Sequence, residues 1–347
     1  MEKTICIKEK EIGPNAPVFI TVETGTTCNG DLKTALEMVE VAARAGADAI
    51  KFMIIDPDYF MSDKSVSYEY STSSGVTQEN MYEMFKSLKF TEDEWRAIKA
   101  CCEENKIIFY ATVDYVPGVA LAESLGVAAY KLSSWDARNY PLIRAMAATG
   151  KPLVVDMGPT YNYDIAQLLG VLSEESNDQA VLVHCTHAKC DSEVNIKSIP
   201  YIHEMFGCPV GYSADSRDLL PDTGAVSLGV HFLEKRLTLN KNYSGHHHDK
   251  ALEPHELTEW IATIRRLEKM LGKPGIIPST EDIRQRDLYF VSLVANENIP
   301  AGSVITEDMI ACKRPGTGID PGMLSVIIGR RAVCEIKENE LITWDMI

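Results

Sequence analysis

The sequence predicts a (β/α)₈ barrel followed by a small β-rich domain. Eight short apolar runs alternate with helix-patterned segments up to residue 271. Several of those runs end on a cation or a hydroxyl, as ligand-binding strand ends do. After residue 287 the pattern changes to short β-like pieces with turns at PAGS and RPGTG. The runs are Val18–Glu23, Asp48–Phe52, Ile107–Thr112, Ala128–Leu132, Leu153–Met157, Ala180–Cys185, Pro209–Ser213 and Val230–Lys235. Short apolar strands separated by helices pair in parallel with both faces covered. Eight such units in about 250 residues match a closed barrel. The competing architecture is a doubly wound open sheet, but no GxGxxG follows the first run.

Taken in order, residues 1–16 alternate apolar and charged side chains (Ile5, Ile7, Ile12) and predict a hairpin capping the main domain. Helices are predicted at Leu32–Arg44, Glu92–Glu104, Leu142–Ala148, Ile165–Leu172, Ile196–Met205 and Pro254–Leu271. In the first, Leu36, Val39 and Ala43 share one face and Gly46 ends the helix. The polar stretch Asp56–Lys89, with a Ser/Thr cluster at 71–74, predicts a long loop acting as a lid. The barrel domain is placed at 1–271, a Pro/Gly-broken linker at 272–286 and the second domain at 287–347. About 60 residues is near the lower limit for independent folding.

The 347 residues are 45% hydrophobic and 24% charged, enough for a sizeable core, and the net charge is −16. Such acidity argues against nucleic-acid and anionic-membrane partners. Nine cysteines without a CxxC pair predict reduced thiols. The start MEKTICIKEKEIG has no apolar h-region and no stretch approaches 18 apolar residues, so a cytoplasmic protein is expected.

The chemistry concentrates in AAYKLSSWDARNYP, residues 128–141. A buried strand ends there on Lys131, followed by Ser133, Ser134 and Asp136. A lysine closing an apolar run is commonly a snorkelling surface residue. Here the pattern recurs, with Lys51 ending DAIKF and Lys235 and Arg236 ending VHFLEKR. Cations at three strand ends predict an anionic substrate, a phosphate or carboxylate, gripped in a cleft.

These landmarks continue through VETG, NGDLKTALEMVEVAARAGADAIKF, AYKLSSWDARNYPLI, GKPLVVDMG, VLVHCT, VGYS, LEKRLTL and ACKRPGTGI. Their order resembles the sialic acid synthase (N-acetylneuraminate synthase, NeuB-like) family over nearly the whole chain. The resemblance implies a TIM barrel, a C-terminal antifreeze-like (SAF) domain and a domain-swapped homodimer. It also implies a transferase that condenses phosphoenolpyruvate with a small aldehyde or sugar, releasing phosphate and a 2-keto-3-deoxy acid. By resemblance, Glu23 contacts the sugar, while Lys51, Thr112, Lys131, Ser134 and Ser213 hold the donor. Asp136 stands where the family has a glutamate, His247 matches a sugar-contacting aspartate, and Arg314 matches an arginine that reaches the partner's site.

The departures are as specific. Cys28 replaces a histidine, Met53 a glutamine, and Asp156 a serine on the phosphate side. His187 and Lys189 replace an amide and an aromatic. Asp215 and Arg236 replace the two histidines that bind the family's Mn²⁺ or Mg²⁺, and arginine is no metal ligand. No cofactor is therefore assigned. Asp215 and Arg236 end neighbouring strands, so we expect a charge-assisted pair in which the guanidinium takes the place of the ion. Three consecutive histidines, His246 to His248, rarely converge on one ion, and the plainer reading is a mobile loop. Two other readings keep the barrel. One is an aldolase or lyase forming a Schiff base on Lys131, and the other is a catalytically silent sugar-acid-binding protein.

Overall fold

A computed structural model of the chain describes residues 3–347, so Met1 and Glu2 of the expected cap lie outside the described residues. Eight parallel strands close a barrel: β1 Phe19–Glu23, β2 Ala49–Ile54, β3 Ile108–Val113, β4 Tyr130–Leu132, β5 Leu153–Asp156, β6 Ala180–Thr186, β7 Val210–Ala214 and β8 Phe232–Arg236. The ring closes in chain order, β8 pairing with β1 so that Arg236 stands opposite Glu23. Around it lie α1 Leu32–Ala45, α2 Glu92–Glu104, α3 Val116–Ser124, α4 Tyr140–Ala147, α5 Asn162–Glu174, α6 Ser198–Phe206, α7 Leu220–Ser227 and α8 Pro254–Leu271.

The local chemistry explains these elements. All six residues of β3 are buried, as a strand covered on both faces requires. The Asp31 side chain caps α1 by accepting from Thr34 N at 2.7 Å, and Gly46 ends it in the left-handed region at φ 88°. The apolar periodicity does not mark α3 or α7, because both open with a proline in the first turn and carry an internal glycine.

The N-terminal hairpin pairs Ile5–Ile7 with Lys10–Ile12 and turns its three isoleucines into the barrel floor. There they join Phe19, Ile108, Val181 and Phe232, with Phe19 and Phe232 stacked at 5.6 Å. Inward positions alternate with outward ones along every strand. That alternation leaves the apolar floor at one end and the polar strand tips at the other.

The segment 56–89 is not the irregular loop expected. It holds a short helix Pro57–Phe60, an antiparallel hairpin Ser67–Thr72/Gly75–Asn80 and a helix Met81–Ser87. Thr72 pairs with Gly75 across a two-residue turn, and Gly75 sits at φ 123°. Tyr68 and Tyr70 stack on one another and pack edge-on against His246, while Ser71 Oγ donates to Asp249 at 2.7 Å. These contacts give the hairpin apolar and polar partners that its own polar sequence does not announce.

Residues 273–347 form a second compact unit. Strands Ser292–Ala295 and Ile310–Lys313 pair antiparallel over two small clusters, one around Leu293, Ile319, Ile327 and Ile342, the other around Ile299 and Ile336. The stretch expected as a linker to residue 286 gives way to the helix Thr280–Tyr289, which runs past that boundary and is started by a Ser279/Asp282 capping box. Among the described residues no helix is long and apolar enough to cross a membrane.

Candidate active site

The strand tips bring Glu23, Lys51, Lys131, Asp156, Asp215 and Arg236 into one ion-paired cluster. At its centre is Glu234, which the sequence reading did not single out. Glu234 accepts from Lys51 and from Lys131, each at 2.9 Å, and from the Tyr110 hydroxyl at 3.2 Å. Lys51 also lies 3.2 Å from Glu23, and Lys131 2.8 Å from Asp156. Arg236 donates to Glu23 at 3.1 Å and to Asp215, whose second oxygen accepts from Lys250. The signal for Glu234 was present in LEKR: it shares the inward parity of Arg236.

Lys235 is the corresponding correction. It does not face the mouth. It is buried outside the barrel, 2.6 Å from Asp222 and 5.8 Å from the Trp260 ring centroid, because its parity is opposite.

The cations are not free charges awaiting a guest. Lys51, Lys131, Arg236 and Lys250 face Glu23, Asp156, Asp215 and Glu234, so the cluster is balanced internally. Burial opposes the charge on Lys131, but Asp156 and then Glu234 outweigh it and hold the ammonium. Burial likewise opposes ionisation of Glu23, and Arg236 followed by Lys51 keeps it well below the usual carboxylate range. For Asp156 burial prevails over Lys131, and its carboxyl is pushed up.

The remaining predicted residues are distributed around this core. The Thr112 hydroxyl is buried at the tip of β3 without a hydrogen-bond partner. Ser134 is buried in a turn after β4, where a Cβ on Gly158 would come within 2.4 Å of its side chain. Ser213 is half-buried on β7, and Asp136 is half-buried and accepts from the Asn139 amide at 3.0 Å. His187 is exposed against Trp135, and Lys189 is exposed on the rim of a cavity of about 910 Å³ that also includes Asp215. Arg314 is exposed in the second unit, its Nε donating to Tyr289 O at 2.9 Å.

Asp114 was also overlooked. It follows β3 with the inward parity of Thr112, is buried, and has one oxygen without a partner. Burial, then the charge of Asp136, push its carboxyl up to about 7, with Lys51 opposing.

The histidines do not converge on an ion and are not loose. His246 packs edge-on against both Tyr68 and Tyr70, and His247 Nδ1 lies 3.2 Å from Thr26 Oγ1. His248 is buried, bridging Thr238 at 2.7 Å and Asn29 at 3.1 Å. Burial lowers His246 and His248 to about 4 and holds His247 well below its ordinary value, so all three are neutral at pH 7. Cys28 is buried with its thiol raised to about 11 by burial, Cys190 is exposed, and all nine cysteines are free.

A divalent metal does not fit at Asp215 and Arg236, the two positions where the resemblance places its ligands. Arg236 offers no lone pair, and both oxygens of Asp215 are engaged by Arg236 and Lys250. Among the described residues one group is spaced to hold an ion, Glu253, His255 and Glu256 at the start of α8. Glu256 there pairs with Arg217 at 2.5 Å and Glu253 accepts from Lys241 N at 3.2 Å.

Comparison with known proteins agrees with this architecture. Residues 38–275 match the NeuB family and residues 290–347 the SAF domain. An uncharacterized protein of Methanocaldococcus jannaschii is 35% identical over 350 residues, covering 99% of this chain and 98% of that protein. The N,N'-diacetyllegionaminic acid synthase of Legionella pneumophila is 28% identical over 344 residues, covering 97% of each. The crystal structure of the N-acetylneuraminic acid synthetase of Leptospira borgpetersenii, solved with citrate, superposes with a TM-score of 0.73 at 26% identity, over 82% of this chain and 95% of that one. A closed eight-stranded barrel with its ionic cluster at the strand tips, and family matches running through barrel and tail alike, make the chain a member of the NeuB family with a C-terminal SAF domain.

Proposed function

We propose that the protein condenses phosphoenolpyruvate with the aldehyde of a sugar or aminosugar, giving a 2-keto-3-deoxy acid and phosphate. The observation that carries this reading is the pair of buried ammonium groups, Lys51 on β2 and Lys131 on β4, flanking β3 and the unpartnered hydroxyl of Thr112. Ser134 and Ser213 add hydroxyls on the same rim. Such fixed donors in a dry site suit phosphate and carboxylate oxygens.

In this reading C3 of the enol attacks the aldehyde carbon, and the former carbonyl oxygen takes a proton. Water adds at C2, and collapse of the tetrahedral centre breaks the C–O bond to phosphate. Arg236, oriented by Asp215 and Glu23, polarises the aldehyde where relatives by resemblance use a metal. Asp114, buried and kept protonated by its burial and then by the charge of Asp136, provides the proton. A carboxyl that titrates near 7 is matched to acid catalysis at neutral pH.

A sugar acceptor is favoured by a second cavity of about 490 Å³, whose walls include Thr26, Tyr70, Thr72, Ser74 and Ser244 beside His246. The Schiff-base alternative is disfavoured, since a lysine held protonated between two carboxylates is a poor nucleophile. The domain-swapped dimer through Arg314 remains part of the proposal, as does a cytoplasmic location.

The test is phosphate release from phosphoenolpyruvate across a panel of aldoses and N-acetylated aminosugars. Release with at least one aldehyde, and a 2-keto acid in equal amount, supports the reading. Sugar-acid binding without turnover across the panel replaces it with a silent binding protein.

A further inference from the structure

Asp156 stands on the donor side of the mouth, where an added negative charge is hardest to reconcile with an anionic guest. Its Oδ1 lies 2.8 Å from the fully buried Lys131 ammonium but makes no well-aligned hydrogen bond. The groups facing it are Lys131 from β4, Glu234 from β8, Lys51 from β2 and the Cys185 thiol from β6. Glu23 on β1 lies one step further, held by Lys51 and Arg236. Before any guest arrives these charges cancel. A phosphate brought against Lys131 therefore meets a carboxylate already occupying that ammonium, and like charges a few ångströms apart in a dry site are strongly unfavourable.

We propose that Asp156 is a resident counter-ion of Lys131 that surrenders its charge when the donor binds, so that each donor anion enters together with one proton. This rests on the donor reading above and adds to it a rule for when the site accepts the anion. Protonation changes Asp156 from a repelling acceptor into a hydroxyl donor for a phosphate oxygen, and leaves the cluster one positive charge in excess. The other facing groups are poor proton acceptors. Glu234 is held low by Lys131 and Lys51 despite its burial, and the Cys185 thiol, pushed well up by burial, is already neutral. Asp156 is the carboxylate of the group whose burial outweighs its cations. The proton is returned when phosphate leaves, so the overall reaction still balances.

The experiment is calorimetric titration of the full-length protein with phosphoenolpyruvate from pH 6 to 8, in buffers of different ionisation enthalpy, for wild type, Asp156→Ser and Asp156→Asn. Wild type is expected to take up about one proton more per donor than either variant. Its affinity then falls about tenfold per pH unit relative to theirs. Both variants bind more tightly at pH 8, and Asp156→Asn keeps the shape of the protonated acid should Asp156→Ser fail to fold. Equal proton uptake and equal pH slopes in all three proteins overturn the counter-ion role while leaving the donor standing. Absence of binding by all three at every pH overturns the donor reading, and this proposal with it.

Discussion

Glu234 Oε2 lies 2.9 Å from Lys131 Nζ, across the barrel and 103 positions apart in sequence. The other oxygen of the same carboxylate reaches Lys51 at 2.9 Å, so one buried acid holds both ammonium groups of the proposed donor site. Replacing Glu234 with alanine leaves two buried cations without their common partner. A stability loss of about 3–5 kcal/mol is expected, as for other broken buried pairs. Urea unfolding measures it, and a loss below about 1 kcal/mol would show that the lysines find other partners.

Lys131→Ala is expected to lower kcat/KM for phosphate release by about 10²-fold or more, the scale of removing one fixed donor from an anion site. Cys101→Ala, on the outer helix α2 with its Sγ 3.8 Å from Leu36 O, should retain activity. Equal activities of the two variants refute the assigned site.

In the proposed reading the Asp215–Arg236 pair takes the role of a metal, so activity in the presence of EDTA should match that without it. The double change Asp215→His, Arg236→His introduces two imidazoles and is expected to make the activity of that variant depend on added Mn²⁺. Loss of wild-type activity on chelation, recovered with Mn²⁺, counts against the guanidinium role.

Asp114 acts as an acid only while protonated. The rate should therefore fall as pH rises through about 7, the value to which burial and then Asp136 raise it. Asp114→Asn is expected to remove that limb of the kcat profile and to lower the plateau by about 10²-fold. An unchanged limb would assign the titration to another group.

His231 is buried with its Nδ1 accepting from Val210 N at 3.1 Å, and burial followed by His203 lowers it to about 4. A base with a depressed folded-state value contributes its full stability above the unfolded value of about 6.5. That contribution disappears as pH falls from about 6.5 to 4, because the unfolded chain binds the proton first. The expected loss is about 3 kcal/mol. Thermal unfolding of wild type and His231→Gln across this window should converge at the acid end. Parallel curves would exclude His231 as the cause.

The barrel was legible because a covered parallel strand must be apolar on both faces, which leaves eight unmistakable runs with caps between them. Strand ends are off by one or two residues, as fraying makes usual. The arm at 57–87 was not legible, since its hairpin depends on His246 and Asp249, far along the chain. Glu234 and Asp114 were readable in principle from the alternation of LEKR and ATVD, and Lys235 could have been discarded by the same parity.

By itself, the sequence determined the order of strands and helices and the polar strand tips, with Asp215 and Arg236 among them. Only the tertiary structure decided which cation meets which carboxylate. Closing the ring sets Arg236 of β8 against Glu23 of β1 and points Lys51, Lys131, Asp156 and Glu234 at one small volume. No local pattern contains that information, because Coulomb pairing depends on distance through space, and closure makes neighbours of residues more than a hundred positions apart.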